Sequence, residues 1–213
     1  MLDKSIEFKN IIMRCNAEKI ANLPAPSLPA GYSIRSFVKG DEINWARIEA
    51  SVLEFASEAD ALDFFTKAYL PYEEELEKRC FFVLDSSGLP ISTATAWFAM
   101  SGFGYQASLH WVAACPEYQG LGLGKAIVLS ALHSFSNLEP EKDIWLHTQT
   151  WSYKAVQLYH GLGFNLMKTD KLANMNTRDG TLKIYPNDYH EAIPILKNVL
   201  SELVLSELIN AAV

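Results

Sequence analysis

Apolar residues recur with two different periods along this chain, and the change of period divides it. The stretch "RCFFVLDSSGLPISTATAWFAM" (79–100) holds two runs rich in aromatic and β-branched residues around a Ser-Ser-Gly turn, and "YQASLHWVAA" (105–114) follows a second turn at "SGFG". Short apolar runs joined by tight turns predict an antiparallel meander of three strands. After Gly124 the period becomes helical, because "KAIVLSALHSF" sets Ile127, Val128, Ala131, Leu132 and Phe135 on one face. A strand "DIWLHTQT", a helix "SYKAVQLYHGL" and a short strand opening "GFNLM" follow. Such alternation requires crossovers, so the pattern predicts an α/β (α+β mixed) fold in which helices flank a central mixed, mostly antiparallel sheet.

Upstream of the meander the pattern is helical. From Asp41, read as an N-cap, "DEINWARIEASVLEF" carries Ile43, Ala46, Ile48, Ala50, Val52, Leu53 and Phe55 at helical spacing. A second helical stretch over 59–78 is interrupted at Pro71, and its acidic "EEELEK" reads as a solvated face. The first strand is predicted at 32–37. The proline-rich "ANLPAPSLPAGY" separates it from a leader, 1–31, packed on or extending the domain, whose "IEFKNIIM" fits both periods poorly. The main domain then runs over 32–185. After a turn at "RDG" and a strand "TLKIY", Ile195, Leu196, Val199, Leu200, Leu203 and Leu208 line one stripe, predicting a single closing helix within 186–213. That stripe faces either its own domain or a second copy in a homodimer.

Composition narrows the functional classes. A chain of 213 residues that is 49% hydrophobic can bury one sizeable core. Its net charge of -7 and pI near 5.2 argue against a nucleic-acid surface, which needs a dense basic face, and favour a cationic acceptor. No membrane partner is expected, since no apolar run reaches the length of a bilayer span and "MLDKSIEFKNIIMRC" lacks a signal peptide's apolar core. Cys15, Cys80 and Cys115 form neither an even framework nor a CxxC pair, which points to a reducing cytoplasm, and no metal is expected.

The candidate chemistry starts at "PEYQGLGLGKA" (116–126), where an apolar strand runs into a helix through three alternating glycines. A helix N-terminus offers unpaired amide protons and a positive dipole end, and glycines let an anion approach the backbone itself. The spacing excludes two common phosphate cradles. A P-loop needs GxxxxGK[ST], but Gln119 stands five before Gly124 and Ala126 follows Lys125; the dinucleotide GxGxxG fails at Ile127.

Gln119-x-x-Gly122-x-Gly124, after the strand "LHWVAACPEY" and before an amphipathic helix, resembles the acetyl-CoA pyrophosphate loop of the GNAT superfamily of N-acetyltransferases. Downstream, Ala155-x-x-Leu158-Tyr159-x-x-x-Gly163-Phe164 is similar to that family's other recurring segment, beside the thioester. The resemblance is specific over 105–167 and implies a single GNAT-like domain that takes acetyl-CoA. It implies that the pantetheine arm pairs with the backbone of Val112, Ala113 and Ala114, and that amides of Gln119, Gly120, Leu121, Gly122, Leu123, Gly124 and Lys125 hold the pyrophosphate. Ala155 and Tyr159 would flank the thioester. Ser152, a cofactor-binding candidate, stands where many members carry an asparagine that reaches CoA; its side chain is shorter, and its residue type suits an N-cap.

Direct transfer of an acetyl group to an amine needs a base and an acid. The resemblance assigns the acid to Tyr159. For the base, His110 on the strand before the loop and His147 on the next strand both have an ordinary pKa near 6.5. The resemblance implies that "TQTWSY" lies at the splayed end where the family opens toward the acceptor, which makes Trp151, Gln149 and Tyr153 acceptor-binding candidates, with Phe55, Tyr69 and Tyr72 from the early helical region. The expected activity is acetylation of a small-molecule primary amine in a ternary complex, against transfer to a protein N-terminus or lysine, or CoA binding without catalysis.

Overall fold

The computed structural model describes residues 2–101, 104–175 and 182–213. In chain order its elements are β1 (Asn10–Cys15), α1 (Ala17–Ala21), β2 (Ser33–Ser36), α2 (Glu42–Ser51), α3 (Glu58–Ala68), α4 (Glu73–Arg79), β3 (Cys80–Leu84), β4 (Pro90–Ser101) and β5 (Gly104–Ala114). There follow α5 (Leu123–Leu138), β6 (Ile144–Gln149), α6 (Tyr153–Gly161), β7 (Asn165–Leu166), β8 (Leu172–Met175), β9 (Leu182–Tyr185), α7 (Tyr189–Leu196) and α8 (Glu202–Asn210). The strands form one sheet in the order β2-β3-β4-β5-β6-β1-β7, with a β8–β9 hairpin paired to the far end of β4. Every pairing is antiparallel except β5 with β6. The mixed, mostly antiparallel sheet expected from the apolar pattern is therefore present.

Strand alternation sends successive side chains to opposite faces, so Val83 joins one core and Phe82 the other. The first core packs Met13, Ala94, Leu109 and Leu146 under α5 to α8, where Ile127, Val128, Ala131, Leu132 and Phe135 are all fully buried, as their spacing predicts. The second packs α2 and α3 on the other face around Trp45 and Phe65. No helix among the described residues is long and apolar enough to cross a membrane.

Three local expectations change. Residues 10–15, within the N-terminal leader, form β1, which pairs along its whole length with β6 and also with β7. Asp41 stands at the N-cap position of α2 but caps no amide there; its carboxylate accepts from Arg35 Nη2 at 2.9 Å and from the Val38 amide at 2.8 Å. The closing stripe is two helices rather than one. The chain turns after Leu196, and Ser201 restarts it by accepting from the Val204 amide at 3.4 Å. Leu196, Leu200 and Leu208 stay buried, whereas Leu203 is 70% exposed. The "RDG" turn and the tip of "SGFG" lie outside the described residues.

Candidate functional site

Two adjacent parallel strands part company at the centre of the sheet. β5 and β6 pair at Ala107–Ile144 and Ser108–Trp145, and among the described residues no pairing continues beyond. β5 itself carries a bulge: Thr93 opposes Ala113 while Thr95 opposes His110, and Trp111 within the bulge has φ 50. A bulge bends its strand and steepens its twist, which turns the end of β5 away from β6. Val112, Ala113 and Ala114 therefore lie past the last β5–β6 pair, on an open strand edge.

The chain leaves that edge through the glycine loop. Gly120 and Gly122 have φ of 83 and 81, which side-chain-bearing residues adopt only with strain. Gln119 Nε2 donates to the Ala114 carbonyl at 2.9 Å and ties the loop to the strand end. Gly122 is the N-cap of α5, and the amides of Gly120, Leu121, Gly122, Leu123, Gly124 and Lys125 donate to no protein acceptor among the described residues. Unpaired amides at the positive end of a 16-residue helix suit an anion, and exposed Lys125 stands beside them. A Cβ at Gly124 would stand 3.9 Å from Leu158 Cδ2, so the loop also abuts α6.

From α6, Tyr159 is 6% exposed, and its hydroxyl has no hydrogen-bond partner among the described residues yet keeps a solvent-accessible edge. Burial, then the charges of Glu54 and Glu49, raise its pKa far above the ordinary tyrosine value, so it carries its proton at every physiological pH. His110 and His147 share the opposite face of the sheet. His110 Nδ1 and the Tyr69 hydroxyl are joined by a 2.9 Å hydrogen bond, while His147 Nε2 donates to Asn10 Oδ1 at 2.9 Å and stacks on Tyr185 at 3.9 Å. Burial and the neighbouring His147 lower His110 to about 3; burial and Lys183 lower His147 to about 4. Both imidazoles are neutral at pH 7 and weakly basic, which suits hydrogen bonding better than proton abstraction.

A family model described as the acetyltransferase (GNAT) family matches residues 45–164, more than half of the chain. The chain belongs to the GNAT acetyltransferase family. Mycothiol acetyltransferases from Pseudarthrobacter chlorophenolicus and Renibacterium salmoninarum are 29% and 28% identical to it over 176 and 154 residues. Each match covers 70% of this chain and, respectively, 47% and 45% of the relative, so the chain spans about half the length of these curated relatives. A GCN5-related N-acetyltransferase from Sphaerobacter thermophilus superposes with a TM-score of 0.56 at 18% identity, over 76% of this chain and 49% of that one, a likeness of fold.

GNAT enzymes use acetyl-CoA as acetyl donor, and the residues present fit that molecule in two respects. The orphan amides of 120–125 suit a pyrophosphate, and the open edge at Val112–Ala114 suits an extended, amide-bearing arm. Contributions here come from backbone: Leu123 buries its side chain in the core while Leu121 is exposed. Ala155, half-buried on α6, lies one turn before Tyr159. Ser152 makes no capping bond to α6, and its hydroxyl instead accepts weakly from Gln149 Nε2 at 3.4 Å.

The acceptor-lining candidates separate. Gln149 Nε2 donates to Glu54 at 3.3 Å. Trp151 is engaged elsewhere: its indole N–H donates to the Ile6 carbonyl at 2.7 Å and its ring meets Phe8 edge-on at 5.0 Å. Tyr153 packs against the first core. Phe55 and Tyr69 join an aromatic cluster with Trp45, Phe64 and Trp111, while Tyr72 is 58% exposed at its margin beside Trp97. Sequence reasoning missed the carboxyls. Glu49 is 1% exposed on α2, and Glu54 stands at the rim just beyond that helix. The signal was available, since Glu49 interrupts the stripe Trp45, Ile48, Val52 on the helix's apolar face.

Proposed function

We propose that this chain transfers an acetyl group from acetyl-CoA to the primary amine of a small molecule, with both bound together. The observation that carries the reading is the coincidence of three features at one place: the unpaired amides of 120–125, the divergence of β5 from β6, and the buried Tyr159 hydroxyl with both Glu54 and Glu49 acting on it. Acetyl-CoA supplies an activated thioester whose sulfur leaves as the new amide forms. The amides of Gly120 to Lys125 bind the anionic end, and the backbone of Val112, Ala113 and Ala114 orients the arm. Tyr159 holds a proton on Oη for the departing sulfur, and its raised pKa keeps that proton in place until it is needed. His110, tied to Tyr69, is proposed to position the acceptor side of the cleft.

A small-molecule acceptor is supported by the mycothiol acetyltransferases among the relatives and by the acidic, aromatic character of the region around Glu49 and Trp45. The three cysteines are buried free thiols, in keeping with the reducing cytoplasm proposed for the chain.

The testing experiment is calorimetric titration with acetyl-CoA, CoA, ATP and NAD, followed by an amine and peptide screen read by free thiol. Selective binding of the CoA compounds and thiol release with small amines is the expected result. Release with peptides alone would replace the acceptor class, and CoA binding without release would leave a binding module. Absence of CoA binding would overturn the reading entirely.

A further inference from the structure

The Glu49 carboxyl is anomalous among the polar groups of the second core. Its Oε1 is enclosed and without a hydrogen-bond partner, and its Oε2, likewise unpartnered among the described residues, keeps a solvent-accessible edge. One helical turn earlier on the same face of α2, the Trp45 indole N–H is also enclosed and unpaired. Unsatisfied buried polar atoms cost free energy: Glu49 Oε1 lacks a donor and the Trp45 N–H lacks an acceptor, and a guest that carries N–H donors meets the first of these needs. The titratable groups that bear on this carboxyl are Glu54 beyond the end of its own helix, Tyr69 after α3, Cys80 on β3 and Tyr159 on α6. None of these is a cation. Trp45, one turn before it on α2, belongs to a cluster of four aromatic rings in mutual contact, 5.8 Å from Phe55, 6.2 Å from Phe64 and 5.5 Å from Trp111.

We infer that Glu49 is the receptor for the acceptor's amino group, which arrives as a primary ammonium and pairs with this carboxyl beside the aromatic cluster. The inference rests on the amine-acetylating reading and gives that reading its acceptor site: a negative, aromatic-flanked position across the cleft from Tyr159. An ammonium supplies the donors that Oε1 and Oε2 lack, and aromatic faces favour a cation over a neutral polar group. The chemistry that follows is a single proton transfer. One N–H bond of the ammonium breaks, its electron pair stays on nitrogen as the attacking lone pair, and an O–H bond forms on Glu49. Burial and the nearby Glu54 raise the pKa of Glu49 well above the ordinary carboxyl value, which narrows its gap to the ammonium and favours that transfer, and the accessible Oε2 edge returns the proton to solvent.

The test uses NMR of the full chain, with ethylammonium as probe and ethanol as its neutral isostere. Ethylammonium should shift the Glu49 side-chain carboxyl carbon and the Trp45 indole N–H saturably, and should lower the pH midpoint of Glu49, because a bound cation stabilises the carboxylate. Ethanol should do neither. In Glu49→Gln the Trp45 response should vanish, while acetyl-CoA binding by calorimetry stays at the wild-type value and attests to the fold. The inference is overturned if ethylammonium leaves both resonances unmoved, if ethanol acts equally, or if Glu49→Gln still responds. Any of these makes Glu49 a neutral acid satisfied by buried water. Loss of the acetyltransferase reading would show separately, as failure of the unsubstituted chain to bind acetyl-CoA.

Discussion

Tyr159 packs in the first core and Glu49 lies on α2 over the opposite face of the sheet, and burial pushes both toward their neutral forms. For Tyr159 this means a proton retained far into the alkaline range. Tyr159→Phe is expected to slow turnover by roughly 10²- to 10⁴-fold, the usual worth of a positioned acid, while acetyl-CoA affinity holds. Stability should change little, since the hydroxyl makes no hydrogen bond among the described residues. Steady-state kinetics beside calorimetric binding checks this, and unchanged turnover would remove Tyr159 from the mechanism. For Glu49 the sign runs the other way from an ordinary carboxylate. Its folded-state pKa lies above the unfolded value, so the neutral acid is tolerated at low pH and stability is lost as pH rises through the folded pKa. Glu49→Gln should therefore melt at a higher temperature than the unsubstituted chain, by a margin that grows from pH 4 to pH 8 in scanning calorimetry. At this scale Tyr159 was legible through its motif. Glu49 was legible only as a break in an apolar stripe, and its lack of partners depends on what α2 packs against.

At the scale of elements, the junction of β5 with α5 is where sequence and structure agree most closely. The strand ends at Ala114, the helix starts at Leu123, and the glycines between them take the left-handed backbone that the loop requires. Gly122→Ala separates conformation from ligand approach. A Cβ there meets nothing within 4 Å, so the stability cost should be the backbone strain alone, about 1 kcal/mol. Acetyl-CoA affinity should fall further, at least tenfold, because the added methyl stands where an anion must approach the amides. Urea unfolding and calorimetry on the same variant check both expectations, and equal, small losses would argue against the loop as an anion site. The bulge at Trp111 and the parting of β5 from β6 had no comparable sequence signal. A bulge is one extra residue in a register, and a register exists only between two strands.

Across the whole molecule, sheet order brings distant residues together. β1 lies between β6 and β7, which sets Asn10 against His147 and carries the N-terminal segment across the β6–α6 corner, where Asp3 donates to the Trp151 carbonyl at 2.9 Å. The two sheet histidines make stability pH-dependent. Their folded pKa values, about 3 and about 4, lie below the unfolded value near 6.5, so the stability they contribute is present above pH 6.5 and is lost as pH falls toward 4. Melting temperature should drop between pH 7 and pH 4.5, and His147→Gln, able to keep a bond to Asn10, should flatten that slope; an unchanged slope would mean His147 charges freely in the folded state.

Local physics explains what the sequence alone determined. Period two in the meander, period 3.6 in α5 and glycines at a strand-to-helix turn follow from neighbours a few residues apart, and with the two motifs they were enough for the fold class and the family. Tertiary structure decided the rest. Whether residues 10–15 became a strand depended on the free edge of β6, and whether the C-terminal stripe continued or broke depended on the surface it had to cover. Whether Glu49 stood exposed or nearly enclosed depended on what packed over α2, chiefly α3 and its aromatic side chains. Long-range contacts set burial, and burial sets which side chains keep or surrender their charge.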